Sequence, residues 1–193
     1  MTEMTRPSFL RGLFDSWQLT LDHGRPRDLI PYWIIISAML GALAARYLPP
    51  EFWSWERIDA AVGAMSGLLT FNGIVLALCW SAFGKVYEIV GAGAFCTHLR
   101  KHKLLAHYLS FVRWCHLAQV LAIMFTAFAL ASLWMPLDLW FKKAAVGAAI
   151  GFSIYAVRQG YATSEVMQDL IWRKSEFDET IPAPAVKPVE GAR

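Results

Sequence analysis

The residue types that could do chemistry are few and mostly lie outside the apolar runs. Cys96, His98, His102 and His107 fall within twelve positions, and His98 and His102 are spaced i, i+4, so one helical face would carry both imidazoles. Two ligands on one face can begin a metal site. No paired C-x-x-C and no H-E-x-x-H completes one, so no metal is expected. Arg100 and His107 have the spacing of the Arg-His pair of HEPN-type ribonucleases, but a single such pair in a basic stretch is expected by chance. Walker, Rossmann and nucleophile-elbow patterns are absent. Only His116 lies inside an apolar run, so paired axial histidines for a membrane haem are missing. The expectation is a chain that is not an enzyme and carries no cofactor.

One polar residue stands out because of its surroundings. Asn72 lies in GLLTFNGIVLAL, near the centre of a long apolar run. An amide in hydrocarbon is costly unless it finds a hydrogen-bond partner. It reads either as a pore-lining or substrate-contacting side chain, or as an interhelical hydrogen bond that fixes packing or oligomer state; the second is favoured. Two small-residue pairs, Gly63-x3-Gly67 and Gly147-x3-Gly151, are candidates for close helix packing, within the chain rather than between copies. A third group lies at the basic end of the runs: Arg113, His116 and Gln119 in one, Arg158 in another, with Glu88 as the nearest acidic partner. Such charges should be paired or face protein or water; at this cytoplasmic interface they read as a vestibule, an anion or lipid-headgroup site or a gate, or as snorkelling interfacial residues, and the last is favoured. Arg100, Lys101 and Lys103 are candidates for contact with lipid headgroups or a protein partner.

These residues are positioned by a sequence that is 56% apolar, well above the usual share for soluble domains, and blocked into runs. The runs cover 29–47, about 60–84, about 111–134 and about 141–162. Each matches the roughly 20 apolar residues that cross a bilayer. The fold expected is an all-α integral membrane protein, a four-transmembrane-helix bundle over 29–162 with cytoplasmic amphipathic helices and a cytoplasmic connection at 85–110. Residues 1–28 form a cytoplasmic segment, within which 7–19 (PSFLRGLFDSWQL) has helical amphipathic spacing. The fourth run continues as a helix over 163–175, and 176–193, with three prolines, reads as a flexible tail.

Charge fixes the orientation. Fourteen of the 18 Lys and Arg fall in the N-terminal segment, the 85–113 connection or the C-terminal part, and four fall on the other side. The positive-inside rule then puts both termini in the cytoplasm of a bacterial-type inner membrane. Ala42-Leu43-Ala44 looks like a signal-peptidase site, but the 28 residues ahead of the run are too long and acidic for an ordinary leader, and the segment is expected to be retained. The three cysteines have no paired spacing and are expected to be thiols. Intramembrane carboxylates are missing from the central halves of the runs, which argues against proton- or cation-coupled transport.

Two functions fit these features. One is a small homo-oligomeric protein that forms a pore or perturbs the membrane on a cytoplasmic signal. The other is a membrane anchor or scaffold that docks a soluble cytoplasmic partner. A lipid-directed enzyme ranks last, because no nucleophile or acid pair is present. The layout resembles the small four-span membrane components of bacterial anti-phage systems, which work with a soluble protein; no single motif carries that resemblance. The partners expected are the lipid bilayer, further copies of the chain and a cytoplasmic protein, with no direct contact to nucleic acid.

Overall fold

The computed structural model describes residues 32–180, apart from Ala92 and Lys103, and leaves the side chains of Arg57 and His107 undescribed. The amphipathic stretch at 7–19 and the tail beyond Thr180 lie outside the described residues, as does Lys103. Among the described residues all regular structure is helical. Helix α1 is Tyr32–Tyr47, followed by two 3-10 turns at Pro50–Trp53 and Trp55–Arg57. Helix α2 is Ile58–Gly91, α3 is Ala94–Lys101, α4 is Leu104–Trp134 and α5 is Leu139–Thr180.

Two of these, α2 and α4, are long and apolar enough to cross a membrane, and α1 is a shorter apolar helix. Only 11% of the most apolar stretch of α2 is buried within the chain, so most of that stretch is open on the outside of the bundle. Leu78, Trp80, Ile74, Met124 and Phe128 all face outward. Trp114 and Trp134 bracket an apolar stretch of α4 that is about 30 Å long at 1.5 Å per residue. On α5, Trp140 and Tyr161 lie at a similar separation, with an uncharged stretch from Ala144 to Val157 between Lys143 and Arg158.

The helix ends follow from local chemistry. Pro49 and Pro50 cannot continue α1, and Pro136 closes the turn after α4. Gly93, with φ +96°, makes the turn between α2 and α3 that a side chain would resist. The 85–110 connection is thus the last turns of α2, the short α3 and the first turns of α4. Helix α5 runs unbroken to Thr180 rather than ending near 175, because Lys174–Asp178 and Arg173–Asp169 bridges support its last turns.

Helix α5 is the centre of the fold. Helix α4 packs along one side of it, α2 lies against both, and α1 lies on another side. The buried positions of α4 repeat every seven residues in two series: Tyr108, Cys115, Ala122, Ala129 and Val112, Gln119, Thr126, Leu133. Helix α5 repeats at Ala149, Ala156, Thr163 and Leu170, and α2 at Met65, Asn72, Cys79 and Val86. A sustained period of seven keeps one seam facing its neighbours by left-handed supercoiling. At the Arg173 end a separate core forms from Phe83, Val86, Val90, Phe95, Leu99, Tyr108 and Leu170, with Phe177 packed against it. At the opposite end Ala61, Met65, Leu133 and Val146 form another, with Phe52 and Trp53.

Candidate functional site

The polar residues of the interior lie on the heptad seam of α2, α4 and α5. Asn72 is 1% exposed. Its Nδ2 donates to Thr126 Oγ1 at 3.0 Å and to Ser153 Oγ at 2.9 Å. Each hydroxyl spends its own proton on a carbonyl one turn back, Thr126 on Ala122 O and Ser153 on Ala149 O, both at 2.7 Å. The hydroxyl oxygens therefore have only lone pairs left, which fixes the amide with its NH2 toward them. Asn72 Oδ1 is left buried without a partner.

One heptad toward the Arg173 end, Gln119 forms a second polar layer. Its Nε2 donates to Ala156 O at 2.9 Å and makes a longer contact of 3.6 Å to Cys79 Sγ. Gly160 makes room for this: a Cβ there would sit 3.1 Å from Cys79 Sγ. Gln119 Oε1 has no partner. The three cysteines are free thiols and buried.

Beyond the apolar stretch lies a third polar group. Tyr108 donates its hydroxyl to Asp169 Oδ2 at 2.9 Å, and Arg173 Nε donates to the same oxygen at 2.8 Å. The Arg173 guanidinium, with help from the Tyr108 hydroxyl, holds the Asp169 carboxyl below its usual range. Burial, and the bond to Asp169, push the Tyr108 hydroxyl up.

The small-residue pairs part company. Gly147 and Gly151 sit against α1, where a Cβ on Gly151 would come 2.8 Å from Ser37 O. A Cβ on Gly41 would collide with the backbone of Gly147 and Gly151. The complementary row on α1 is Ser37-x3-Gly41-x3-Ala45, all three buried, which sequence reasoning passed over. Gly63 and Gly67 differ from the expectation of packing within the chain: nothing lies within 4 Å of a Cβ at either. The face of α2 that meets α4 and α5 is the Ala61, Met65, Asn72 and Cys79 row, which leaves both glycines outward.

The expected cluster of Glu88, Arg113, His116, Gln119 and Arg158 is not one site. Glu88 is exposed and pairs with Lys85 at 2.8 Å, one turn away on its own helix, not with Arg113 or Arg158. His116 lies beside Trp80 and Phe83 with ring centroids at 5.2 and 6.3 Å. Arg113 is half-buried on α4. Gln119 points to the seam, whereas Arg158 turns toward α1, with its guanidinium carbon 5.2 Å from the Trp33 ring centroid. On α5 the seam positions are 156 and 160, and position 158 is rotated by about 200° from 156 at 100° per residue. Arg100 and Lys101 are exposed at the end of α3. The rings of His98 and His102 lie 4.5 Å apart at a tilt of 48°, and His98 lies 4.9 Å from the Phe177 ring. Among the described residues no group of three or more His, Cys, Asp or Glu is arranged to hold a metal ion.

No family, curated protein or solved structure matches the chain. The reading of its function therefore rests on this geometry. The Asn72 and Gln119 amide N–H groups are used in helix-to-helix bonds, and buried alanines of α4 and α5 lie on the same seam. The arrangement can fix packing and register.

Proposed function

We propose that the chain is a non-catalytic, four-span inner-membrane protein that self-associates and presents a cytoplasmic helical cap to a soluble partner. The observation that carries this reading is the length of α5. Its 42 residues extend about 63 Å, twice the roughly 30 Å of the hydrocarbon. The surplus packs with the ends of α2 and α4, and with α3, around a buried core of its own. A lipid-embedded bundle has no need of such an extension, whereas a docking platform does. In this reading α1, α2, α4 and the first half of α5 cross the bilayer, with both termini on the cytoplasmic side as the charge count requires. The Trp and Tyr at the two levels of α4 and α5 match the depth of headgroup belts.

A second reading, a pore or membrane-perturbing oligomer, is favoured by one observation. The outward face of α2 carries Ala60, Gly63, Gly67, Thr70, Ala77, Ser81 and Gly84 at alternating three- and four-residue spacing, broken only by Ile74, and all are exposed. Small residues on a lipid-facing helix allow close approach of another helix. Four helices of one chain leave little room for a water-filled path, so conduction would need several copies. A role in phage defence belongs to the same reading, with the cap receiving the trigger.

The test is stoichiometry and ion flux on the same sample. The purified chain in nanodiscs is expected to be oligomeric, and liposomes holding it are expected to retain an entrapped dye. A steady leak, stopped by substitutions on the α2 face, would replace the scaffold reading with the pore. A monomer without leak would defeat the shared claim of self-association.

A further inference from the structure

Arg158 is held in a way that the scaffold reading does not use. Its guanidinium lies over two ring faces, Trp33 of α1 at 5.2 Å and Tyr161 of α5 at 5.7 Å. The residue is half-buried, and of its three guanidinium nitrogens Nη1 is buried with no hydrogen-bond partner. The three ion pairs among the described residues engage Lys85, Arg173 and Lys174, so Arg158 has no carboxylate there. A guanidinium carries five N–H donors in its plane, and ring faces satisfy none of them. Buried polar groups in native proteins are nearly always partnered, and one that is not calls for a ligand or a reason.

We infer that Arg158 is a binding point for a phosphate oxyanion at the cytoplasmic membrane surface, supplied by the phosphodiester of an anionic phospholipid. Phosphate oxygens match the planar fork of the guanidinium, and such charge-assisted bonds are the strong ones. The flanking residues suit the source. Trp33 is 45% exposed and Tyr161 62% exposed, each with an apolar body and a polar tip, the type found at headgroup depth. Ile34 and Ile35 continue outward from Trp33 along α1, where acyl chains would lie. The anionic cytoplasmic leaflet concentrates the ligand at this level. The inference rests on the four-span reading for the lipid source, but not for the oxyanion chemistry.

The experiment compares the unmodified chain with Arg158→Gln and Arg158→Lys. Native mass spectrometry of protein released from nanodiscs of phosphatidylcholine mixed with phosphatidylglycerol counts the retained lipids. The unmodified chain is expected to retain phosphatidylglycerol preferentially, and Arg158→Gln to lose that preference by roughly tenfold, the worth of one charge-assisted bond. Arg158→Lys keeps the charge without the fork and should fall between; it also serves if Arg158→Gln does not fold. A second arm titrates inorganic phosphate in detergent and reads thermal protection. Protection by phosphate equal to that by lipid assigns the oxyanion to a soluble source. Equal lipid preference in all three chains, with no protection by phosphate, overturns the inference. A reporter fused after Thr180 that proves to be external would overturn the four-span orientation instead, and leave the detergent arm standing.

Discussion

Asn72 Nδ2 donates to Ser153 Oγ at 2.9 Å, joining α2 to α5 across 81 residues of sequence. With the matching bond to Thr126, one amide ties three helices together at a single level. Removing it should cost less than its burial suggests. Both hydroxyls keep their backbone acceptors, so Asn72→Leu strands no donor. Interhelical hydrogen bonds inside membranes average about 0.6 kcal/mol each, so a loss of about 1 kcal/mol is expected. Reversible unfolding in mixed micelles measures it, and stoichiometry should not change. A changed oligomer number in Asn72→Leu would mean that the amide works between copies.

The α1–α5 contact should be far less forgiving. At Gly41 the obstruction to a side chain is the backbone of Gly147 and Gly151, which cannot rotate aside. Gly41→Leu must push the two helices apart, and overpacking of this kind costs about 1–3 kcal/mol or more. Gly151→Leu meets Ser37 O and should behave alike. Crosslinking between cysteines placed on α1 and α5 would report the separation. Unchanged crosslinking together with native stability would show that the two helices are not in backbone contact.

At the Arg173 end of the bundle the pH dependence has a definite sign. Asp169 has its carboxyl pKa depressed by Arg173 and Tyr108, so its folded value lies below the unfolded one of about 4. The stability it lends is present above pH 4 and is lost as pH falls through the folded value. The Tyr108 hydroxyl is raised above its usual value near 10, so its contribution is intact below that pH and disappears as pH climbs through the folded value. Asp169→Asn should flatten the acid side of a melting-temperature profile. Tyr108→Phe should flatten the alkaline side and cost about 1 kcal/mol at neutral pH, the usual worth of such a bond. A profile unaltered by both substitutions would mean that this contact is absent in solution.

Much of this architecture was legible because long apolar runs and the residues that break helices mark where helices extend and stop. The runs around 60–84 and 111–134 fall inside α2 and α4, the breaks fall at Pro49, Pro50, Gly93 and Pro136, and Asn72 could be recognised by its apolar surroundings. Partner choice was not legible. Glu88 seemed the natural partner for Arg113 or Arg158, but Lys85 lies one turn away on the same helix and needs no tertiary contact. Gly63-x3-Gly67 and Gly147-x3-Gly151 look alike in sequence, and only the position of α1 distinguishes them. The seven-residue seam escaped notice because it is built largely of Ala, Thr, Gln and Cys, which do not stand out against an apolar background.

The outward face of α2 gives the sharpest test of self-association. A Cβ at Gly63 or Gly67 meets nothing within 4 Å, so larger side chains there are tolerated by the isolated bundle. Gly→Ala in a helix interior removes a propensity cost of up to about 1 kcal/mol, so neither Gly63→Ala nor Gly67→Ala should weaken the fold. If a second copy lies on this face, Gly63→Leu and Gly67→Leu should separate the copies while leaving the helix content and melting behaviour of each bundle intact. Gly41→Leu should do the reverse, loosening the bundle first. Native mass spectrometry set against thermal unfolding distinguishes the two patterns. Oligomers that survive Gly63→Leu together with Gly67→Leu would remove α2 as the contact, because two leucines one turn apart hold neighbouring backbones beyond small-residue packing distance.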